Sequence, residues 1–362
     1  MKILHVITDS NIGGAGRCLL NLAEHIPGIH VALPENALLA PALRALSAEV
    51  IETKYLAETS FDIRAIRGLI SIFKKIEPDI VHTHGAFSGR VAAKACKVPA
   101  IIATRHSVFD VPPGYKRFPK KQLTGCLNNF FCDAFIAVSP AAASNLLDLG
   151  VPEKKIHVVY NGVKPIQRLP SEARDASKRG LGLSPGDFII VIAARLVPEK
   201  GHDVVLDAMK IISHDKNDGV KCVIAGAGPT EGYIKRRIAD ERIANVICAG
   251  FMEDAGKIFN IADIVVNASY GTEATSLSLL EGMSLGLPAV VSDYGGNPHV
   301  ITNGENGLVF ATNDADALAR NIIKLRNDRA LYDTMSRNAL RVYNERFTAK
   351  IMAEQTMKVY ET

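Results

Sequence analysis

The chain has 362 residues, 48% of them hydrophobic and 22% charged, with a formal net charge of +4. That length exceeds the roughly 250–300 residues that one hydrophobic core usually supports, so two domains are expected. The mild charge, with no Lys/Arg-dense helix and no basic stripe interleaved with aromatics, argues against a nucleic-acid partner, and no run approaches the roughly 18 apolar residues of a membrane span.

The first apolar run, in "MKILHVITDS", is too short for a signal peptide and reads as a strand. It leads into "DSNIGGAGR" (Asp9 to Arg17), where Gly13, Gly14 and Gly16 let backbone N–H groups approach a ligand as a helix opens. The loop lacks a full GxGxxG, and no acidic residue ends the next strand, "IHVAL". A nicotinamide or flavin site is therefore poorly supported. Further short apolar runs follow, "DIVHTH", "PAIIAT", "AFIAVS" and "KIHVVY", most of them separated by helical patterns. This is βαβ rhythm, and strands so rich in Val, Ile and Ala should be parallel and buried on both faces.

His84 and His106 end two of these strands and are expected to reach a ligand cleft, His106 with the stronger case because Arg105 and Ser107 flank it. "YKRFPKK" (Tyr115 to Lys121) holds much of the basic excess of the first half, in which 18 Lys and Arg face 13 Asp and Glu across residues 1–163. It reads as a solvated loop, or more sharply as a patch for anionic lipid headgroups or an anionic acceptor. The segment 161–187 is rich in Pro, Gly, Ser and charge and marks a domain boundary near Gly162 to Lys164.

The rhythm restarts with "FIIVIAARL", "VKCVIAGAG", "NVICAG", "DIVVNAS" and "PAVVSD", predicting a second doubly wound α/β unit. Ligands bind at the carboxyl ends of parallel strands, so the loops of both units are expected to line one cleft. After the first of these strands, Arg195 and Lys200 bracket a Pro-containing turn and suit a phosphate. Gly226 and Gly228 form another close-approach turn.

In "EATSLSLLEGMSLGLPAVVS" a helix is expected from near Thr275, turning Leu277, Leu280 and Met283 inward with Glu281 beside apolar neighbours. Thr275 or Ser276 would cap it, leaving an anion site at its free N–H groups next to Glu273. A last helix over 347–362 is expected to cross back to the first domain. The six cysteines show no CxxC pair and no metal spacing, which fits thiols in a reducing, cytoplasmic compartment.

Taken together, "ARLVPEKG", "VIAGAGP", the Glu-x7-Glu of Glu273 and Glu281 with "EGMSLGLPAVVS", "YGGNPHVI" and "NGENGLVF" resemble the family-4 retaining glycosyltransferases. The junction "VSPAAASNLLDLGVPEKKIHVVYNGV" is also similar to theirs. The resemblance implies a GT-B fold: residues 1–163 an acceptor-side Rossmann-like domain joined by the last helix, and residues 164–346 the domain for a nucleotide-diphosphate sugar, in first place a UDP-sugar. The acceptor implied is a glycan, a lipid-linked glycan or a small molecule, with synthesis of cell-envelope or exopolysaccharide as the setting.

By the same resemblance Arg195 and Lys200 grip the diphosphate, with the N–H groups at Thr275, Ser276 and Leu277. Glu281 takes the ribose hydroxyls, and Glu273 lies nearer the sugar ring. His106 lies beside the transferred sugar and Gly14 near the phosphates, with Gly226 and Gly228 also counted among the substrate-binding residues. No bound metal or further cofactor is needed. Three departures from the family pattern stand out: Thr275 and Ser276 where a Phe-Gly pair is usual, His299 in place of an acidic residue, and Lys164 in place of an aspartate. Two other readings compete, a sugar-nucleotide epimerase of the same architecture and a non-catalytic scaffold subunit. The Glu-x7-Glu segment argues against the first, and the joint presence of Arg195, Lys200, Glu273 and Glu281 against the second.

Overall fold

The computed structural model describes residues 1–56, 61–214, 219–252 and 254–362. They divide into two compact units, Met1–Val163 with Thr348–Thr362, and Lys164–Phe347. Each is built on one wholly parallel sheet.

In the first unit the strands are β1 (Ile3–Ile7), β2 (His30–Pro34), β3 (Glu49–Thr53), β4 (Ile80–His84), β5 (Ala100–Arg105), β6 (Ala134–Ala137) and β7 (Ile156–Val158). They lie in the order β3-β2-β1-β4-β5-β6-β7. Strand β1 shows why its run is continuously apolar. Leu4 and Val6 pack with Leu69 and Phe73 of the helix Ile63–Ile76 on one face. Ile3 and Ile7 pack on the other with Leu19 and Leu22 of the helix Gly14–His25 and with Met352 of the last helix, Ala349–Tyr360. Each such fully buried aliphatic side chain stabilises the fold by about 1.5–3 kcal/mol.

The second unit contains β8 (Phe188–Ala193), β9 (Val220–Ala225), β10 (Val246–Gly250), β11 (Ile264–Asn267), β12 (Ala289–Ser292) and β13 (Gly307–Phe310), ordered β10-β9-β8-β11-β12-β13. The strand order reverses between β1 and β4 in one sheet and between β8 and β11 in the other. At such a point the outgoing loops diverge and leave a crevice at the carboxyl ends of the strands.

Two strands are additional to those legible as apolar runs, β3 "EVIET" and β13 "GLVF". Both are edge strands. β3 is buried only at Thr53 and carries two glutamates, while β13 is largely buried but only four residues long, so neither shows a long apolar run.

The last helix belongs to the first unit. Thr348 caps it, its side chain accepting from Ile351 N–H, and Val163 and Thr348 form a single parallel bridge. Gly162 N–H donates to Met352 Sδ (3.2 Å), and Asn21 Nδ2 donates to the Gly162 carbonyl (2.9 Å). Among the described residues no helix is long and apolar enough to cross a membrane.

Candidate active site

In the second unit the loops after β8 and β11 bring the chemistry together. The loop after β8 ends in a 3-10 turn, Pro198–Lys200, and Tyr270 N–H donates to the Glu199 carbonyl (2.9 Å), tying that turn to the loop after β11. Lys200 Nζ then lies 2.9 Å from Glu273 Oε2. The same oxygen accepts from Asn267 Nδ2 and from Ser269 Oγ, both at 3.1 Å. Glu273 is 6% exposed, so this carboxylate is held by one cation and two neutral donors in place of water.

A further layer fixes those donors. Asn267 Oδ1 accepts from Ser269 N–H (3.0 Å) and faces Asn297 Nδ2 (3.4 Å). Asn297 Nδ2 also donates to Ser292 Oγ (3.1 Å), and Ser292 Oγ donates to the Ser269 carbonyl (2.6 Å). The "GGNP" turn reaches this layer because Gly296 sits against the Glu273–Ala274 backbone. Its N–H donates to the Glu273 carbonyl (3.1 Å), and a Cβ there would fall 1.6 Å from the Ala274 carbonyl oxygen. Asn267, Ser269, Ser292 and Asn297 were not singled out from sequence. For Asn267, Ser269 and Ser292 the signal was polar side chains at the ends of apolar strands, in "VVNAS" and "VVSD"; Asn297 lies beyond, in the "GGNP" turn.

Arg195 is exposed, and its guanidinium has no ion-pair or hydrogen-bond partner among the described residues. Its backbone is fixed on both sides, since Ala194 N–H donates to Ala225 O (3.0 Å) and Leu196 N–H to Ala227 O (2.9 Å). Gly226 and Gly228 serve this clamp. A Cβ on either would lie 1.9 Å from the Ala194 carbonyl oxygen or 2.3 Å from that of Leu196. The close approach they permit in this structure is to the neighbouring loop.

The helix after Glu273 spans Leu277–Ser284, two residues later than the pattern predicted. Leu279, Leu280 and Met283 are its buried apolar residues, and Leu277 is only half-buried. Ser276 occupies the N-cap position without capping through its side chain; its Oγ pairs with Ser278 Oγ at 2.9 Å. Thr275 and Ser276 are buried. Glu281 is half-buried, not enclosed as expected, because it lies off the Leu280–Met283 face.

In the first unit Gly14 opens the helix Gly14–His25 and is exposed, and a Cβ there would meet nothing within 4 Å. His106 is half-buried beyond the end of β5, its Nε2 2.8 Å from His84 Nδ1. His84 does not reach outward as predicted. It is 1% exposed, enclosed between His106 and His5. Burial pushes the His106 imidazole down to about 4, with Arg105 adding to the effect. The basic stretch forms a 3-10 turn, Pro113–Lys116, followed by the helix Lys120–Phe131. Here Tyr115, Phe118, Leu123, Leu127 and Phe130 are all exposed.

Residues 12–166 match the family described as Glycosyltransferase Family 4, and residues 173–342 match Glycosyl transferases group 1. The chain belongs to the family-4 glycosyltransferases. It is 28% identical over 289 residues to the UDP-Gal:alpha-D-GlcNAc-diphosphoundecaprenol alpha-1,3-galactosyltransferase of Escherichia coli, covering 75% of this chain and 72% of that one. Over 293 residues it is 24% identical to the alpha-monoglucosyldiacylglycerol synthase of Acholeplasma laidlawii (74% and 72%). Its fold is that of HepE from Anabaena, solved in complex with UDP (TM-score 0.86, 20% identity, all of both chains). It is also that of sucrose-phosphate synthase from Thermosynechococcus elongatus (0.77, 16%, 100% and 98%). This family-4 glycosyltransferase therefore has the GT-B architecture of two Rossmann-like units.

Proposed function

We propose that this glycosyltransferase moves a sugar, with retention of anomeric configuration, from a UDP-sugar to a glycan or lipid-linked acceptor in the synthesis of a surface polysaccharide. The unit Lys164–Phe347 takes the donor, and the unit formed by Met1–Val163 and Thr348–Thr362 takes the acceptor. The observation that carries this reading is the Lys200–Glu273 pair at the β8/β11 switch point, on whose β8 loop Arg195 is exposed and without a partner among the described residues. Arg195 and Lys200 grip the diphosphate and stabilise the charge that develops on the leaving phosphate, work that fixed cations do without a bound divalent ion. The uncapped N–H groups at the start of Leu277–Ser284 face the same anion, with Thr275 and Ser276 framing it.

Glu281 accepts from the ribose hydroxyls. Glu273 meets the sugar ring, and its three donors fix the carboxylate where positive charge develops. Gly14 leaves room at the phosphates, and His106 meets a hydroxyl of the sugar substrates. The departing phosphate itself takes the acceptor proton on the same face. The names of the relatives support a nucleotide sugar and a lipid-linked acceptor.

A thermal-shift screen against UDP, GDP, ADP and their sugars tests the donor, since a ligand that binds only the folded chain raises its melting temperature. Donor hydrolysis without acceptor then tests turnover. Stabilisation by none of these nucleotides would refute the reading.

The exposed apolar residues of 115–130, with Lys116, Arg117, Lys120 and Lys121, form the surface on which the protein meets anionic lipid headgroups around its acceptor. Sedimentation with anionic but not neutral vesicles is the expected result, and indifference to lipid charge would remove this part.

A further inference from the structure

A file of four histidines runs through the first unit. His5 and His82 are register partners on β1 and β4, and His84 points to the same face two residues on. His5 Nδ1 lies 3.0 Å from His84 Nε2, and His84 Nδ1 lies 2.8 Å from His106 Nε2. At the other end the last helix supplies Tyr360, whose hydroxyl oxygen is 3.5 Å from His5 Nε2 and 2.7 Å from His82 Nδ1. His82 Nε2 in turn lies 2.6 Å from Thr104 Oγ1.

The interior members are 0–1% exposed, so water does not complete the file. Burial also keeps the rings neutral: His5 is pushed down to about 3, and His82 and His84 well below the ordinary value. A neutral imidazole offers one donor and one acceptor. The file therefore has two self-consistent polarities. In one, all four rings carry the proton on Nε2; His106 donates to His84, His84 to His5, His5 to the Tyr360 oxygen, Tyr360 to His82, and His82 to Thr104. In the other, all four carry it on Nδ1, and Tyr360 must donate across 3.5 Å. The first asks His5 Nε2–H to span that same 3.5 Å, so the 2.7 Å contact to His82 decides: it matches a hydroxyl donor, about 2.7–2.8 Å, better than a ring N–H donor, about 2.9–3.0 Å, and selects the first.

We propose that His5, His84 and Tyr360 are positioning residues that hold His106 with its proton on Nε2, leaving its Nδ1 lone pair as a fixed acceptor for a substrate hydroxyl. This rests on the reading that His106 meets the sugar substrates. With its affinity for protons so reduced, His106 orients that hydroxyl and is not a base that keeps the proton near neutral pH.

The test uses the full chain labelled with 15N-histidine. Long-range 15N–1H correlation at neutral pH should show pyrrole-type Nε2 and pyridine-type Nδ1 in all four rings. Protonated Nδ1 in His106, or one equivalent of metal on these nitrogens in purified protein, would overturn the proposal. Tyr360→Phe removes only the hydroxyl that sets the polarity and spares the packing of His84. His106 should then average between tautomers, and kcat should fall about tenfold, the equivalent of one neutral hydrogen bond, with donor KM unchanged. A folded Tyr360→Phe protein with a single His106 tautomer or full kcat would sink the proposal. Full activity in His106→Ala would instead sink the reading of His106, and the tautomer measurement separates the two failures.

Discussion

Lys200 Nζ and Glu273 Oε2 lie 2.9 Å apart with only 14% and 8% of their side chains exposed, one from each loop of the β8/β11 switch point. Two charges so enclosed cost desolvation that only their partnership offsets. Lys200→Ala leaves the carboxylate with Asn267 and Ser269 alone. Its expected cost is about 3 kcal/mol in urea unfolding, the lower end for breaking a buried pair. Adding Glu273→Gln removes the orphaned charge and should recover most of that stability while restoring no turnover. If the double variant is as unstable as the single one, the two residues are not coupled in this way.

Arg195 makes the opposite case. Exposed and without a partner among the described residues, it contributes little to the fold. Arg195→Ala should unfold within about 0.5 kcal/mol of the parent, yet lose on the order of a hundredfold in kcat because a transition-state donor is gone. Near-normal turnover would show that the guanidinium does not grip the leaving diphosphate.

The two glutamates should separate in steady-state kinetics. Glu281 holds a part of the donor that is the same in ground and transition states, so Glu281→Ala should raise donor KM about tenfold and spare kcat. Glu273→Gln keeps volume and hydrogen bonds but removes the charge beside the sugar, and should lower kcat with KM little changed. Parallel effects on both parameters in both variants would contradict this division of roles.

The parallel sheets were legible because buried strands such as "FIIVIA" are apolar on both faces. The edge strands β3 and β13 were not, because "EVIET" is interrupted by glutamates and mostly uncovered and "GLVF" is only four residues long. Lys200, Glu273 and Arg195 could be placed at strand ends, but the hydrogen-bond layer behind Glu273 depends on Asn267 and Asn297, 30 residues apart. No local pattern reports that pairing. The histidine file was hidden for the same reason: His82 and Tyr360 are separated by 278 residues, and only the return of the last helix joins them.

Gly14 offers a test in which stability and function part. It lies at the first helical position with open space where a Cβ would go. Alanine also favours a helix over glycine by about 0.5–1 kcal/mol, so Gly14→Ala should melt at the same or a higher temperature. If phosphate lies against this loop, kcat/KM should nevertheless fall several-fold. Unchanged kcat/KM would show that nothing docks there.

The buried histidines give the fold a pH dependence with a definite sign. His5 at about 3 and His106 at about 4 titrate far below the ordinary 6.5, because burial disfavours their charged forms. Arg105 adds to the effect at His106. In the unfolded chain both take protons near 6.5. Below that pH the unfolded state binds more protons than the folded one, so stability rises with pH and is lost as pH falls toward the folded values. Each ring contributes a slope of about 1.4 kcal/mol per pH unit in that window. Carboxylates held low by arginine, such as Asp62 and Glu241, begin to act only below their ordinary values of 3.8 and 4.5. Urea midpoints should therefore drop already between about pH 6.5 and 5, and His106→Gln should make that drop shallower by one ring's share. A flat profile across this window would mean that these histidines are not held neutral in the folded chain.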